Sequence, residues 1–377
     1  MNKIIVDILS KIEESGYEAY IVGGYVRDKV LGMDATDIDI CTNAKVFEIM
    51  EILKEYQPVS GSYGAVKFMV NKYKFDITTY RKDVKYNGDR RNVEVIYVNN
   101  LVEDITRRDF TCNTLCMNKN GEIIDLLNAQ EDINNQVVRC VGDIDKKLQE
   151  DPLRILRAIR FASCLDFKIE TELFLALKKY RKLIDELSMT RIKEELTKIL
   201  VNKNVIKGLD YLRRLGMLEY VGIEYDKIVP VADICGMFSQ LTFTKEFPFS
   251  KEEKESINII KKIVSYGKID KGILFDYGLY LSMVAGNILG IDREDVIAID
   301  KGLEIKSLKD IMISSDEICD ILGIEPSKAI GDVYSVLKEM ILDGEISNEN
   351  EALKEHLMNQ GKKWLSDEGE YKKGFTF

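Results

Sequence analysis

The stretch from Ile21 to Cys41, IVGGYVRDKVLGMDATDIDIC, constrains this chain more than any other. An apolar run stops at Gly23-Gly24, Arg27 follows shortly after, and Asp37-Ile38-Asp39 closes the segment. Side chains two apart on a strand project to one face, so this spacing predicts that Asp37 and Asp39 stand together while Ile38 and Ile40 point into a core. Two carboxylates held that close repel each other and need a cation between them. Mg²⁺ suits such hard oxygen ligands, because it keeps several waters and takes its remaining ligands from substrate phosphates. Gly23 and Gly24 lack a Cβ and let backbone N–H groups approach a phosphate, while Arg27 offers it paired donors. The segment describes a triphosphate held beside a metal ion.

The flanking sequence predicts a scaffold for it. Residues 3–15 read as an amphipathic helix, AYIVG as a buried strand, and YVRDKVLG as a short helix whose N-terminus faces the glycines. TDIDIC is a second strand, and KVFEIMEILKEY a helix with apolar residues at helical spacing. GAVKFMV and KYKFDITTY alternate in polarity around Asn71 and Lys72, which is a hairpin signal. The result is a small mixed sheet with helices on one face. Asp76, in the second hairpin strand, is a candidate third active-site carboxylate, with a strand-end acid the equal alternative. Residues 81–93, RKDVKYNGDRRNV, are polar and basic, turn at Asn87-Gly88 and have no hydrophobic period, as expected of a functional or mobile loop.

A lone GG is common in turns and a lone D-x-D at strand ends; the ordered set, GG-x-x-R-D and then D-x-D, is far more specific. That set resembles the class II nucleotidyltransferase superfamily, within it the group of bacterial CCA-adding tRNA nucleotidyltransferases and poly(A) polymerases. The resemblance runs from about Tyr20 to Leu200. LVEDITRRDFTCNTLCMN resembles the family segment R-R-D-F-T-x-N-A-L, with Thr114 in place of the alanine and Phe110 and Leu115 as core. The resemblance implies that Arg108 contacts the nucleotide and Asp109 the sugar hydroxyl. GEIIDLLNAQEDI resembles the hinge segment, but Asn128-Ala129 stands where relatives carry Gly-Gly. Asparagine tolerates left-handed dihedrals and alanine does not easily, so hinge flexibility is the weakest feature to carry over. ELSMTRIKEELTKIL resembles E-R-I-x-x-E-L, with Thr190 for the glutamate, and is expected to support the helix before it.

That preceding helix, QEDPLRILRAIRFA, is the second anchor. Asp151 followed by Pro152 is a helix start, with aspartate as cap and proline at the first position. Arg154, Arg157 and Arg160 recur every third residue, each step turning about −60°, so neighbours share a face and the first and last do not. Leu153, Leu156 and Ile159 follow the same spacing on the buried side. An amphipathic helix with a solvated basic edge would show the same pattern. The likeness to the family's E-D-x-x-R and L-R-A-x-R-F-A favours base recognition instead. Cytosine and adenine both present an amino donor beside a ring-nitrogen acceptor, so Asp151 can accept from the amine while Arg154 donates to the ring nitrogen. Uracil and guanine reverse that order and strand buried polar groups, at about 1–3 kcal/mol each. Arg157 and Arg160 are left for phosphates or the growing tRNA end.

With 377 residues, the chain exceeds one ordinary core. The reading is an α+β chain: a nucleotidyltransferase head with a small mixed β-sheet over 1–137, an all-α neck over 138–200 for nucleobase recognition, and a helical body and tail over 201–377 for tRNA. Beyond residue 200 no motif is legible. LDYLRRLGMLEYV, ESINIIKKIVSYG and LKDIMISSDEICDILG read as amphipathic helices, punctuated by glycines and by Pro230, Pro248 and Pro326. The closing SDEGEYKKGFTF is polar and expected to fray. Seven cysteines without C-x-x-C pairing predict reduced thiols; Cys112 and Cys116 lack the partners of a zinc site. The only histidine, His356, excludes histidine catalysis in the N-terminal half and a His-Asp phosphohydrolase domain. A net charge of -10 predicts weak non-specific nucleic-acid binding, with local fields left to Lys82, Lys85, Arg90, Arg91, Arg107 and Arg108. The N-terminus lacks the continuous apolar run of a signal peptide, and YLSMVAGNILGI is too short to span a membrane, so a cytoplasmic protein is expected.

The resemblance implies template-independent addition of C, C and then A to the tRNA 3′ end from CTP and ATP by two-metal phosphoryl transfer, with two Mg²⁺ ions at Asp37 and Asp39 and release of pyrophosphate. Retention of the 81–93 loop favours the complete CCA product. A CC-only, A-only or poly(A) product, or a non-catalytic RNA-binding relative, are the alternatives. Partners are a tRNA lacking all or part of its CCA and the two nucleotides, with no membrane; monomer and homodimer remain open.

Overall fold

The structure is a computed structural model and describes residues 2–58, 64–83 and 95–360. The basic residues Lys85, Arg90 and Arg91, most of the 81–93 loop and the polar C-terminus lie outside the described residues. The chain divides into two compact units, Met1–Glu224 with Thr242–Pro248, and Tyr225–Leu241 with Phe249–Phe377.

The first unit opens with α1 (Lys3–Glu14), capped by the Asn2 side chain on Ile4 N, and buries Ile5, Ile8, Leu9 and Ile12 at helical spacing. There follow β1 (Ala19–Val22), α2 (Gly24–Val30), β2 (Asp37–Thr42), α3 (Val46–Ile52), β3 (Ala65–Val70) and β4 (Tyr73–Thr79). Helix α3 ends earlier than its apolar period predicts: a 3-10 turn takes over at Lys54–Tyr56, and Gln57 turns left-handed. The β3–β4 hairpin forms as expected, with Asn71 adopting φ 54 at the turn. Next come β5 (Arg81–Asp83), β6 (Val95–Tyr97), α4 (Leu101–Thr106), β7 (Cys116–Met117), β8 (Ile123–Ile124) and α5 (Ala129–Asn134).

Six strands form one mixed sheet in the order β3-β4-β2-β1-β7-β8. Only β2 and β4 run parallel; every other neighbouring pair is antiparallel. One face carries Val66, Phe68, Phe75, Ile77, Ile38 and Ile40, all buried. The opposite face is divided. Its inner part, Val22, Cys41 and Cys116, lies in a small apolar cluster with Tyr80 and Ile105 of α4. Its outer part carries the acids of β2 and β4.

The rest of this unit is helical apart from two short ladders, β9 (Val137–Val138) with β10 (Lys168–Ile169), and β11 (Ile223–Glu224) with β12 (Thr242–Phe243). Its helices are α6 (Ile144–Glu150), α7 (Leu153–Cys164), α8 (Thr171–Tyr180), α9 (Met189–Leu200), α10 (Val205–Arg214) and α11 (Leu218–Val221). Helix α7 packs against α9 and α10. Their approach at Gly208 leaves no room for a side chain, since a Cβ there would sit 2.5 Å from Ile199 Cγ2.

The second unit is described by α12 (Ile234–Ser239), α13 (Lys251–Tyr266), α14 (Lys271–Leu289), α15 (Arg293–Lys301), α16 (Ser315–Leu322), α17 (Lys328–Asp343) and α18 (Asn350–Gln360). Two apolar clusters hold it, one around Ile260, Ile273 and Val296, the other around Ile318, Val333 and Leu353. LKDIMISSDEICDILG is not one helix: Ser314 and Glu317 form a capping box that starts α16 in the middle of it. Helix α14 is, by length and composition, apolar enough to cross a membrane, which the sequence reading did not anticipate. Gly278 interrupts it with φ 73 and ψ 167. The regular stretch after the break, 279–289, rises only about 17 Å, against a hydrocarbon core of about 30 Å. Val284 and Ala285 are buried in this unit's own core.

Candidate active site

Parallel pairing of β2 with β4 sets Asp39 beside Asp76, and the antiparallel hairpin sets Asp76 beside Lys67. These three therefore form a row across three strands, with Asp37 one step along β2 on the same face. Asp37 and Asp39 are exposed while Ile38 and Ile40 between and after them are buried, as the alternation predicts. Lys67 Nζ lies 3.1 Å from Asp76 Oδ2, whereas Asp76 Oδ1 is shielded from solvent and accepts no hydrogen bond among the described residues. Asp39 is open by surface area, yet it stands at the rim of the cluster under α4, and desolvation there is the main cause that raises its pKa. The carboxylates of Asp76 and Asp37 push it further up, against the pull of Arg108 and Lys67.

Gly23 connects this row to the Arg-Arg-Asp segment. It adopts φ 79, which favours glycine, and its N–H donates to Leu115 O at 3.0 Å. A Cβ at this position would lie 3.5 Å from Arg108 Nη1, 3.6 Å from Asn113 O and 3.9 Å from Asp39 Oδ2. Arg108 thus stands over the glycine turn, on the side of Asp39. It is held from behind by Asp104, a fully buried acid of α4: Arg108 Nη2 donates to Asp104 Oδ2 at 3.2 Å. Arg107 donates to Asp104 Oδ1 through Nε and Nη2 at 2.9 and 2.7 Å. Burial works to raise the Asp104 pKa, but the two guanidiniums outweigh it and hold the carboxyl below its ordinary range.

A second chain of polar contacts runs from Arg27 to α7. Arg27 is buried and fixed at both ends, by Nε to Asp28 Oδ1 at 2.8 Å and by Nη1 to Asn113 Oδ1 at 2.7 Å. Asn113 Nδ2 donates in turn to Asp109 Oδ1 at 3.2 Å, and Arg157 closes on Asp109 Oδ2 through Nε at 2.6 Å and Nη2 at 2.5 Å. Burial opposes ionisation of Asp109, yet Arg157 and the hydrogen bonds keep its pKa low.

Asp151, just before α7, and Arg154, in its first turn, are both buried. Pro152, not Asp151 as the sequence predicts, takes the cap position of α7, and Asp151 closes α6; its Oδ1 accepts from Leu153 N at 3.3 Å and from Arg191 Nη2 of α9 at 3.1 Å. Arg154 donates to two carbonyls, Lys147 O at 2.9 Å and Arg107 O at 3.3 Å. Lys147 Nζ adds bonds to Thr106 O at 2.8 Å and Arg108 O at 3.2 Å. Arg160 pairs with the buried Glu195 of α9 at 3.2 Å. The helix that resembles the family's supporting segment therefore holds both the residue just before α7 and Arg160 within it. At the hinge-like segment, Asn128 takes the left-handed conformation (φ 55, ψ 35) and Ala129 enters α5 with ordinary helical geometry. Asp125 ties the turn down by accepting from Ala129 N and Gln130 N, each at 2.9 Å.

The residues singled out from sequence thus fall into one connected set within the first unit. Asp37, Asp39 and Asp76 share a face of the sheet. Arg108 reaches them across Gly23, Gly24 backs onto Arg27, and Arg154 touches the carbonyl next to Arg108. Arg157 and Arg160, read as free for phosphate, are instead ion-paired. Sequence reasoning missed Asp104, Asn113 and Lys67. Asp104 precedes the two arginines by one helical turn, a spacing that signals an ion pair. Among the described residues, no group of three or more His, Cys, Asp or Glu side chains is gathered as a ready-made metal cage. The hard oxygens of Asp37 and Asp39, with the partnerless Asp76 Oδ1 behind them, fit a divalent ion that draws its other ligands from water and phosphate.

Comparison with known proteins gives the family and the fold. Residues 19–139 match the Poly A polymerase head domain family, residues 166–226 the Probable RNA and SrmB- binding site of polymerase A, and residues 238–357 the tRNA nucleotidyltransferase domain 2 family. In fold, the chain is similar to the Bacillus stearothermophilus CCA-adding enzyme solved in complex with CTP, with a TM-score of 0.84 over 96% of this chain and 99% of that one, at 23% identity. In sequence, it is 32% identical to the CCA-adding enzyme of Ligilactobacillus salivarius, over 94% of this chain and 95% of that protein. It is also 32% identical to the CCA-adding enzyme of Streptococcus agalactiae serotype V, over 93% and 96%. Identity at this level along nearly the whole of both chains places the protein in the family of CCA-adding enzymes.

Proposed function

We propose that the chain adds C, C and then A to the 3′ end of a tRNA lacking all or part of that sequence, taking CTP and ATP as donors. The tRNA terminal hydroxyl oxygen attacks the α-phosphorus, the bond to the bridging oxygen of the β-phosphate breaks, and pyrophosphate leaves. Asp37 and Asp39 would hold Mg²⁺, with Asp76 as their neighbour. When bound, Mg²⁺ lowers the pKa of the attacking hydroxyl and neutralises the triphosphate and its leaving group. The backbone at Gly23 and Gly24, with Arg27 and Arg108, receives the phosphates, and Asp109 faces the sugar.

Asp151 and Arg154 serve as the protein's template, reading the amino donor and ring-nitrogen acceptor that cytosine and adenine share. Arg157 and Arg160 act one step back, by holding Asp109 and Glu195. We further assign catalysis to residues 1–137, base recognition to 138–200 and tRNA holding to 201–377, in a cytoplasmic protein. The observation that supports the reading is proximity: Arg108 Nη1 and Asp39 Oδ2 both lie within 4 Å of where a Cβ on Gly23 would stand, and Arg154 donates to the carbonyl of Arg107, next to Arg108 in the chain. The test is incubation of the protein with CCA-lacking tRNA and labelled CTP and ATP, singly and together. Extension by three nucleotides with both is expected. No incorporation with Mg²⁺ present overturns the proposal, and extension by two, by one or by a long A tract assigns the chain a different product.

A further inference from the structure

The carboxylate row contains a cation of its own. Lys67 stands directly opposite Asp76 in the β3–β4 ladder, and its ammonium lies 3.1 Å from Asp76 Oδ2. Lys74 makes a similar but looser approach to Asp37, at 4.0 Å with both side chains largely solvated. Lys67 is different because of what it touches: Asp76 is partly buried, adjoins Asp39 in register, and keeps its other oxygen shielded and without a hydrogen-bond partner. A carboxylate with one oxygen on an ammonium and the other unsatisfied is poised for a second cation.

Resting on the metal-site reading above, we propose that Lys67 is a resident counterion that competes with the divalent ion for Asp76 and so raises the metal concentration the site requires. The charge of Lys67 also opposes the repulsion that Asp76 exerts on Asp39. With Lys67 present, the acids tolerate one another in the metal-free chain. When a divalent ion enters, the lysine must give up at least part of its contact.

Lys67 is a positioning residue rather than a catalytic one, so metal affinity is the quantity to measure. Mn²⁺ binding to the full chain, without nucleotide or tRNA, is followed by electron paramagnetic resonance of free Mn²⁺. Lys67→Met is expected to tighten binding by about fivefold, the upper range for a partly exposed ion pair, while Lys67→Arg stays near wild type. In an Asp76→Asn background, Lys67→Met is expected to have a clearly smaller effect, since only its pull on Asp39 remains. Unchanged affinity in Lys67→Met, or an equal gain with Asp76→Asn present, overturns the proposal. Asp39→Asn separates the two levels of inference. If it abolishes Mn²⁺ binding while Lys67→Met changes nothing, the counterion role alone is wrong. If Asp39→Asn binds as wild type does, the metal site itself is misplaced and the counterion role falls with it.

Discussion

The acids of the sheet and the arginines around α7 are both charged, and they are held in opposite ways. Asp37 and Asp39 lie on the open face of the sheet, Asp39 partly desolvated at its inner edge, and Asp76 has Lys67 on one side. Arg27, Arg107, Arg108, Arg154, Arg157 and Arg160 are each bonded to a protein acid or carbonyl. The first arrangement leaves ligand positions open at a cost in mutual repulsion. The second spends its hydrogen-bonding capacity on the fold and fixes the arginines before any nucleotide arrives. It follows that changes to the acids should cost activity and spare stability, whereas changes to the partners of the arginines should cost both.

The largest effect is expected at Asp39. Asp39→Asn should lower CTP incorporation by about 10²–10³-fold or more while thermal unfolding stays near wild type. A large fall in the unfolding midpoint would break the contrast between the two regions. Asp104→Asn is expected to do the reverse first, lowering stability in urea by about 3–5 kcal/mol, because it strands two guanidiniums over a buried site. Activity should then fall as a consequence of Arg108 losing its support. Wild-type stability in Asp104→Asn would show that the arginines are not held as the contacts imply.

Smaller and more selective changes sharpen the comparison. Arg154→Met should reduce the preference for CTP and ATP over UTP and GTP by about 10–100-fold, as expected when one base-edge hydrogen bond of about 1–3 kcal/mol is lost. Equal loss for all four nucleotides would assign Arg154 a purely structural part. Acid titration tests the buried acids together. Asp104 and Asp109 have pKa values below the ordinary aspartate value in the folded chain, so the unfolded chain binds more protons as the medium becomes acidic. Their stabilisation is complete above about pH 4 and is lost as the pH falls through their folded-state values. The urea midpoint should therefore drop below about pH 4 in wild type and drop less in Asp104→Asn. The smallest effect is expected at the hinge-like turn, where Asn128→Gly should shift stability by less than about 1 kcal/mol, since asparagine already occupies the left-handed region.

Much of this was legible in the sequence because the signals are local. Alternation fixed the faces of β2 and the hairpin, and Asp-Pro marked the start of α7. The resemblance joined the two motifs across more than a hundred residues, which no local period could do. What stayed hidden depended on pairing between distant elements. That Asp39 would lie beside Asp76 requires the parallel register of β2 and β4, and Lys67 enters only through the hairpin that completes the row. Arg157 and Arg160 looked free because their partners, Asp109 and Glu195, come from other segments. LKDIMISSDEICDILG misled for a local reason: its hydrophobic period continues through Ser314, where a capping box restarts the backbone.

The three carbonyls that end α4, those of Thr106, Arg107 and Arg108, are covered by the cations of Lys147 and Arg154. During synthesis the sheet and its acids emerge well before those cations exist. A nascent chain that stops short of α6 would carry the acids of β2 and β4 but leave all three carbonyls uncovered. The segment bearing Arg107 and Arg108 is thus completed by later sequence, and a head shortened before α6 is expected to form its sheet without that support.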